Sequence, residues 1–493
     1  MKKLLSIITV FISLISFSQK SEFSYIKGKL SKNTDYTDMV FSESDSKGGF
    51  FVLKRSAGGV NLRNVEYILE HLDSKLKTID SYVFEKKYYD YNNFRPIVGM
   101  FTHEDKIILI ENSFKDKTWI CNALISNQSK LVFNEKKELY SDKEDNYYGS
   151  NYIINKNNTG FALIFSKYQK NIIDNKIFIY DKNLNKKSDI TYTKDKKKYW
   201  YEVTNIQLSN DSKNIFITEN LIDNKKDFYA ITKLNQESQK NIVFENNSEN
   251  KILGIEPYLN NEDIHIFSYY GKNDNAIKGI AYQKIDINNF TANKFIFNEF
   301  TEQFFLDKYG DTKKPKEVIK AQKIAFRNIF LNENNEFIIT TEESNGYNHP
   351  LRLNDLHDLE INNFIDFHLI KINTEGKLVW SRLVNKIHVC NGDYSYVSIF
   401  SFMKNNYNYI IFNSGKTIIE DKKAPYFRQV FGYNQDLIAL KVDTNGNYTY
   451  ETIFDHSKNE VLCEIKDAKL FNNDFIFLGS KKNDNQFFKY TIK

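Results

Sequence analysis

Histidine and carboxylate side chains are concentrated in one segment of the sequence, residues 341–364, where they could bind a metal ion or carry out acid–base chemistry. The segment includes His349, Asp355, His357 and Asp358. Imidazole and carboxylate groups serve both as metal ligands and as proton carriers. Their spacing does not match the HExxH pattern of zinc enzymes, and the same residue types are common in solvated loops. We therefore treat the four residues as candidate ligand-binding residues and predict no metal site.

Aromatic residues and one arginine form a second group of candidate binding residues. Tyr199 and Trp200 lie in one aromatic-rich connection, Tyr394 lies in another, and Tyr426 and Arg428 lie further along the chain. Exposed Tyr and Trp side chains give a large, stiff contact area with a hydrogen-bonding tip, which suits sugars or peptides. A guanidinium group can recognise an anionic group. The alternative is that these aromatic residues begin strands and pack in the core.

Motifs of the common catalytic families are missing from the sequence. It has no Gly-x-Ser-x-Gly elbow, no Walker loop, no CxxC pair and no dinucleotide fingerprint. The segment Asp443–Asn447 resembles the start of a calcium loop, but residue 454 is Phe where an EF-hand needs a bidentate Glu. We therefore predict no cofactor, and the sequence identifies no catalytic residue.

The first 18 residues have the three-part pattern of a secretory signal peptide. Lys2 and Lys3 precede the apolar run Leu4 to Ile15, and Ser16-Phe17-Ser18 places small residues at a cleavage site. An N-terminal membrane anchor is the alternative. No later run reaches 18 apolar residues, so the mature chain is expected to lack a transmembrane segment. The pattern predicts a secreted or periplasmic protein.

The composition excludes several classes of protein. The 493 residues include 40 Phe and 32 Tyr but only 5 Pro, and aromatic residues make up 15% of the chain. A disordered chain would lack these aromatic residues, and a collagen-like chain would need far more Gly and Pro. The net charge of +5 is small for this length, which makes nucleic acid a poor candidate partner. A glycan or a protein is the expected ligand.

Two landmarks recur along the sequence. The first is a polar turn followed by an apolar strand, around Phe51, Ile107, Phe161, Ile215, Ile264, Phe337, Tyr409 and Phe475. The second is a strand that ends in a polar turn, at Asp73, Asn127, Asn183, Asn235, Asp286, Asn373 and Asp443. Successive copies of the second landmark are 54, 56, 52, 51, 87 and 70 residues apart. A unit of about 52 residues with two hairpins predicts four antiparallel strands and a β-propeller.

The repeat favours an all-β fold of eight blades, with seven blades or a chain of β-sandwiches as alternatives. The last unit lacks a fourth strand, and the segment from Phe23 to Leu30 could supply it as the outer strand. Residues 19–493 would then form a single propeller domain. This organisation resembles secreted bacterial β-propellers in general and no specific family. The segment Asn373–Trp380 is similar to one tryptophan-docking repeat of eight-bladed quinoprotein dehydrogenases, but three Trp in the whole chain are too few for that family.

The two long spacings indicate insertions in units 6 and 7, at 301–323, 341–364 and 414–432. Because strand direction alternates within a blade, all three should emerge on one face of the propeller. Long segments on a rigid scaffold are where binding usually resides. Pro315 and the helix-forming residues after it predict a short helix at 316–322.

Three functions fit these observations. The leading hypothesis is a secreted binding propeller that recognises a glycan, a peptide or an envelope protein through the face with the insertions. The first alternative is a polysaccharide-active enzyme, a hydrolase or a lyase, on the same scaffold. The second is a structural subunit of a cell-envelope assembly. The sequence also leaves open whether Cys390 and Cys463 form a disulfide.

Overall fold

A computed structural model describes most of the chain outside the first 20 residues. The described residues are 21–31, 36–45, 47–56, 64–87, 97–115, 118–143, 148–155, 157–168, 172–195, 200–223, 226–244, 249–260, 262–272, 276–310, 323–349, 359–391, 399–416, 418–421, 424–428, 435–481 and 484–493. Most of the described residues lie in strands, and about 3% lie in helices. The protein is an eight-bladed β-propeller, as the repeat predicted.

The first four blades each contain four antiparallel strands in chain order. Blade 1 is β2 (Tyr36–Ser44), β3 (Phe50–Ser56), β4 (Asn64–Leu72) and β5 (Thr78–Lys87). Blade 2 is β6 (Ile97–His103), β7 (Lys106–Lys115), β8 (Thr118–Asn127) and β9 (Lys130–Lys143). Blade 3 is β10 (Tyr148–Ile154), β11 (Gly160–Tyr168), β12 (Ile172–Asp181) and β13 (Lys186–Asp195). Blade 4 is β14 (Trp200–Leu208), β15 (Ile215–Asp223), β16 (Lys226–Leu234) and β17 (Gln239–Phe244).

The last four blades depart from this plan in places. Blade 5 has interrupted inner and outer strands, β18 (Lys251–Ile252), β19 (Glu256–Leu259), β20 (Asp263–Gly271), β21 (Ile277–Asp286), β22 (Thr291–Ala292) and β23 (Ile296–Glu299). Blade 6 is β24 (Lys323–Leu331), β25 (Phe337–His349), β26 (Leu359–Ile372) and β27 (Leu378–Asn391). Blade 7 is β28 (Ile399–Lys404), β29 (Tyr407–Gly415), β32 (Gln435–Val442) and β33 (Tyr448–Phe454), with β30 (Ile419–Asp421) and β31 (Ala424–Arg428) inserted. Blade 8 is β34 (Leu462–Phe471), β35 (Asp474–Lys481), β36 (Asp484–Ile492) and β1 (Phe23–Lys27).

Local turn chemistry produces the repeat. At the start of the last turn in blade 1, Asp73 Oδ1 accepts the backbone N–H of Lys75 at 2.8 Å and of Lys77 at 2.9 Å. The side chain thereby satisfies the backbone donors of the turn and fixes its geometry. The same arrangement recurs at Asp443, whose Oδ1 accepts the N–H groups of Asn445 and Asn447. The second landmark therefore marks the turns between third and fourth strands.

The first landmark marks the second strand of every blade, and each of its eight apolar residues is buried: Phe51, Ile107, Phe161, Ile215, Ile264, Phe337, Tyr409 and Phe475. Seven clusters of buried apolar side chains lie between neighbouring blades rather than in one central core. Each fully buried side chain of this size stabilises the fold by about 1.5–3 kcal/mol. The blades are held together face to face.

The N-terminal strand closes the ring, as predicted. β1 pairs antiparallel with the last strand of the chain, so that Phe23 lies opposite Ile492 and Lys27 opposite Phe488. Phe23 is buried, and its ring meets that of Tyr409 edge-on at 5.8 Å between centroids. The last blade is thus completed by residues from the other end of the chain.

The described part of the chain contains two short helices, α1 (Glu302–Tyr309) and α2 (His456–Asn459). Helix α1 ends at Gly310, which has φ 67°, a conformation that favours glycine. The helix predicted at 316–322 lies outside the described residues. Cys463 is a free buried thiol, so it is not in a disulfide with Cys390. Within the described ranges no helix is both long enough and apolar enough to cross a bilayer.

Candidate functional site: the elaborated face of blade 6

The second and third strands of blade 6 extend beyond the body of the propeller. Inner strand β24 begins at Lys323, which pairs with Ser344. The ladder between β25 and β26 continues for five further pairs, up to His349 and Leu359. The segment 341–364, predicted as an insertion, continues the sheet in its described part, where β25 and β26 stay paired past the inner strand and β27 accompanies β26 as far as Ile361. We call residues 345–349 and 359–363 the projecting hairpin.

The insertion in blade 7 crosses over to blade 6. Strands β30 and β31 form a small antiparallel pair, and β31 adds in parallel to the outer strand β27. Phe427 on β31 is buried, with its ring 5.0 Å from that of Phe412 and 5.3 Å from that of Tyr450. We call residues 419–421 and 424–428 the strap. It ties the edge of blade 6 to the body of blade 7.

Helix α1 covers the rest of the outer edge of β27. Asp307 Oδ2 accepts the backbone N–H of Leu383 at 3.1 Å and the Nε–H of Arg382 at 2.6 Å. The backbone carbonyl of Asp307 accepts a hydrogen bond from Asn385 Nδ2. Unpaired groups on an edge strand otherwise invite association with other chains. The helix and the strap together close this edge, so blade 6 is a firm base for the projecting hairpin.

Two adjacent glutamates of β25 lie on opposite faces of blade 6, because successive side chains of a strand alternate. The register between β25 and β26 shifts between Glu342 and Ser344. Glu342 lies on the side of blade 6 that faces blade 7. There it pairs with Lys386 and Arg327 of the same blade, and its distance to Arg327 is 2.6 Å. Glu343 points toward blade 5. At the register shift β26 contributes one more residue than β25, so the bulge lies on β26.

The centre of the network on the blade 7 side is buried. The side chains of Glu342 and Lys386 have no exposed surface. Burial lowers the pKa of Lys386 from its ordinary value, while the Glu342 carboxylate acts in the opposite direction. His388 Nδ1 lies 3.5 Å from Lys386 Nζ. Arg327 is the most exposed member of this group, at 28%.

The network on the blade 5 side involves helix α1. Glu343 accepts hydrogen bonds from His368 Nε2 and from Lys308 Nζ, both at 2.8 Å. His368 Nδ1 lies 2.9 Å from the Tyr269 hydroxyl. Burial acts to raise the pKa of Glu343, but the hydrogen bonds and charges of His368 and Lys308 outweigh it, so the pKa lies below its ordinary value. Burial raises the pKa of neighbouring Asp366 despite the charge of Lys308.

These charged groups satisfy one another, which limits what they can do chemically. Catalytic acids and bases need access to substrate, whereas these carboxylates are almost entirely buried and paired. Among the described residues no group of three or more His, Cys, Asp or Glu side chains is placed to hold a metal ion. The network on the blade 5 side connects blade 6 to Tyr269 of blade 5, whereas the one on the blade 7 side links three strands of blade 6 itself. The accessible surface of the site is the projecting hairpin and the strap. We call this surface the elaborated face.

The structure places three of the predicted site residues on the elaborated face. His349 ends β25 in the projecting hairpin, while Tyr426 is half-buried and Arg428 exposed on the strap. Trp200 begins β14 in blade 4, two blades away from the projecting hairpin. The remaining predicted residues lie outside the described part of the chain: Tyr199, Asp355, His357, Asp358 and Tyr394.

Sequence reasoning missed the residues that hold this site together. The signal that could have found them is the pair Glu342-Glu343, which directly follows the apolar strand residues 337–341. Two adjacent acidic residues in a strand that is otherwise buried require positive partners. Those partners, Lys308 and Lys386, lie on other elements, so their identity required the fold.

No protein-family model and no curated protein sequence matches the chain. Several solved structures resemble it at low similarity. The polysaccharide lyase Uly1 is 8% identical over 95% of this chain and 99% of its own, with a TM-score of 0.40. Apo prolyl oligopeptidase B from Galerina marginata is 11% identical over 82% of this chain, with a TM-score of 0.37, and this chain spans 47% of its length. A Synechocystis apocarotenoid oxygenase mutant is 8% identical over 93% of this chain and 86% of its own, with a TM-score of 0.36.

Proposed function

We propose that the protein is an exported binding propeller that recognises a glycan, a peptide or another envelope protein through the elaborated face. The observation that carries the proposal is the convergence of the projecting hairpin, the strap and helix α1 on blade 6. Recognition surfaces are commonly built on segments that project from a rigid scaffold. The buried ion pairs supply that rigidity here.

The chemistry of the strap supports a polar ligand. Arg428 is exposed, and Tyr426 is half-buried beside it on the same short strand. A guanidinium next to a phenol offers several donors and one flat surface, a combination suited to a carbohydrate or to a carboxylate-bearing peptide. The strap and the projecting hairpin share blade 6, so a ligand that contacts one can reach the other.

Export is part of the proposal. The segment from Lys2 to Ser18 has the signal-peptide pattern described above. The first described contacts of the chain begin shortly after it, where Tyr409 donates a hydrogen bond to Glu22 at 2.7 Å. Cleavage after Ser18 would leave that contact intact. N-terminal sequencing of the protein purified from its native cell should begin at Gln19, and a retained Met1 would contradict export by this route.

Shortening the projecting hairpin tests the binding function. Gly346 and Asn362 are a ladder pair, so residues 347–361 can be replaced by Asn-Gly, which forms a two-residue hairpin turn. The change leaves Glu342, Glu343 and the body of the blade in place. Wild-type protein and variant are screened on a glycan array and against immobilised envelope proteins and peptides. We expect the variant to lose the ligand that the wild type retains, with an unchanged melting temperature.

A matched control replaces residues 224–225 with Asn-Gly. They follow Asp223, which forms a ladder pair with Lys226 in the second and third strands of blade 4. Blade 4 is two blades away from blade 6, so the control should bind as the wild type does. Equal binding by the shortened variant would contradict the proposal. Release of product from a retained polysaccharide would instead favour the enzymatic alternative.

A further inference from the structure

We propose that the protein has a second ligand site, a basic cleft between blades 8 and 1 that binds an acidic oligosaccharide carrying carboxylate or sulfate groups. The cleft has a volume of about 810 Å³, within the range of small-molecule sites. It lies where the ring closes, away from the elaborated face, and it does not depend on the function proposed for that face. We call it the seam cleft.

Three parts of the chain build the seam cleft. Residues 27–31 follow the closing strand, residues 72–78 form the last turn of blade 1, and Asn485 and Phe487 belong to the last strand of blade 8. The closing segment is fixed by backbone hydrogen bonds, from Gly28 N to the Phe487 carbonyl at 2.9 Å and from Ser31 N to the Asn485 carbonyl at 2.8 Å. The walls of the cleft are therefore part of the folded ring.

The approach of the closing segment to blade 1 is close. A Cβ atom added to Gly28 would lie 3.2 Å from the backbone oxygen of Leu76 and 3.3 Å from its Cβ atom. Leu76 in turn has φ 62° and is buried. Non-glycine residues adopt such a conformation at some cost. This contact fixes the turn, and with it the two lysines on either side of Leu76.

The lining of the seam cleft is strongly positive. Five lysines face one glutamate: Lys27, Lys29, Lys54, Lys75 and Lys77, with Glu70. Lys54 is buried and pairs with Glu70 at 2.8 Å, so these two charges offset each other. The other four lysines are exposed, and none of them forms an ion pair with any residue that the structure describes.

The carboxylate of Asp73 offsets only part of this charge. Asp73 lies in the same turn as Lys75 and Lys77, but its Oδ1 accepts the backbone N–H groups of those two residues. Four like charges around one concavity repel one another and concentrate anions there. The ligand of the seam cleft is therefore expected to carry several negative charges.

The floor of the seam cleft favours a saccharide over other polyanions. It is formed by aliphatic side chains and Phe487, which is buried with Lys54 over its ring at 5.5 Å. Single-stranded nucleic acid is usually held by exposed aromatic rings that stack on bases, and the lining has no such ring. A bilayer surface would not enter a concave cleft. Sugar rings with charged substituents offer apolar C–H faces for the floor and anions for the lysine rim.

The test measures binding to purified full-length protein by isothermal titration calorimetry. The probes are a hexamer of galacturonic acid, a heparin hexasaccharide, uncharged cellohexaose, a single-stranded DNA oligonucleotide and phosphatidylglycerol vesicles. We expect the two acidic oligosaccharides to bind, with affinity that falls as salt is raised, and the other three not to bind. The double variant Lys75→Glu/Lys77→Glu should bind the acidic oligosaccharides at least about tenfold more weakly.

Lys377→Glu is the matched control, because Lys377 and Lys77 occupy the same position in equivalent turns of blades 6 and 1. It should bind as the wild type does. The proposal is overturned if neither acidic oligosaccharide binds, or if cellohexaose binds as tightly as they do. It is also overturned if the protein prefers DNA or vesicles, or if Lys377→Glu weakens binding as much as the double variant does. The variant with the shortened projecting hairpin should still bind acidic oligosaccharides. Its behaviour therefore distinguishes a failure of the seam-cleft proposal from a failure of the function proposed for the elaborated face.

Discussion

The ammonium group of Lys386 and the carboxylate of Glu342 form an ion pair with no solvent-exposed side-chain surface, at the boundary between blades 6 and 7. Removing two charges from water is costly, and the cost is offset only where each charge has good partners. Glu342 also accepts a hydrogen bond from Arg327 Nε at 2.9 Å. The pair therefore fixes one arrangement of the base from which the projecting hairpin extends.

Removing one partner of this pair should destabilise the protein strongly. In Glu342→Gln the buried ammonium of Lys386 loses its counter-charge, and we expect the free energy of unfolding to fall by about 3–5 kcal/mol. Lys386→Met should cost less, because Arg327 still pairs with Glu342. The double variant Glu342→Gln/Lys386→Met should be more stable than Glu342→Gln alone. Urea unfolding followed by tryptophan fluorescence measures each value.

The control for this prediction is an exposed ion pair, that of Lys377 and Glu375, whose side chains are 68% and 67% exposed. Replacing Lys377 with Met should leave stability nearly unchanged, because exposed pairs contribute little. If Glu342→Gln has as small an effect as this control, the buried pair does not hold blade 6 in place.

Gly48 and Gly446 have the same backbone conformation but different surroundings, so alanine substitutions at the two positions distinguish the cost of backbone strain from the cost of a steric clash. Gly48 and Gly446 both have φ 82°. A Cβ atom on Gly48 would meet open space, whereas on Gly446 it would lie 2.8 Å from the indole ring of Trp380. That indole donates a hydrogen bond from Nε1 to the Thr444 carbonyl at 2.9 Å, which docks blade 6 onto the turn of blade 7.

Alanine at Gly48 should cost about 1 kcal/mol of stability, from backbone strain alone. Alanine at Gly446 should cost about 1–3 kcal/mol more, because the indole must move. Thermal unfolding gives the difference, and the fluorescence maximum of Trp380 should shift only in the second variant. Equal losses in the two variants would show that the docking of Trp380 contributes nothing.

The stability contribution of Glu256 should depend on pH. Burial raises the pKa of this carboxyl to about 7, although Asn205 Nδ2 donates a hydrogen bond to it at 3.0 Å. In the unfolded chain the group titrates near 4.5. Between pH 4.5 and 7 the folded protein retains a proton that the unfolded chain has released, so this group makes the fold less stable as pH rises.

Glu256→Gln removes that dependence. The variant should match the wild type at pH 4 and exceed it at pH 8 by on the order of 2 kcal/mol. Urea unfolding at the two pH values measures the difference. Glu262→Gln, at an exposed position nearby, should show no such divergence. A constant difference between Glu256→Gln and wild type across this range would argue against a raised pKa.

The closing strand should contribute to global stability through its one buried side chain. Phe23→Ala removes a ring that packs against Tyr409 and Phe475, and we expect a loss of about 3–4 kcal/mol. Ile26→Ala, on the same strand at a position 39% exposed, should cost much less. If both variants lose only a little stability, the closure of the propeller does not depend on β1.

The blade count and the closure could be predicted because they depend on local chemistry. Each repeat combines an apolar strand with a turn whose first residue, such as Asp73 or Asp443, satisfies its own backbone donors. Such signals are contained within a few residues, so they are visible in one sequence. The last unit of the sequence lacks a fourth strand, and the segment that begins at Phe23 could supply it, which indicated how the propeller closes.

The site was less predictable because it depends on pairing between distant segments. The strap pairs with blade 6, although in the sequence it lies between two strands of blade 7. Strand β31 of the strap begins 33 residues after the end of β27, the strand with which it pairs. The opposite directions of Glu342 and Glu343 follow from strand alternation, but which neighbour each side chain meets depends on a sheet register that the sequence does not display. The helix in the first insertion starts at Glu302, ahead of the Pro315 signal. Composition could not reveal the partners of the buried charges.

Hydrogen–deuterium exchange with and without the ligand retained in the screen tests the central claim most directly. Binding through the elaborated face should slow exchange in the projecting hairpin, residues 345–349 and 359–363, and in the strap, residues 424–428. Exchange in the equivalent strands of blades 2 and 3 should not change. Protection in blades 2 and 3 without protection of the hairpin and the strap would contradict the assignment of the binding face.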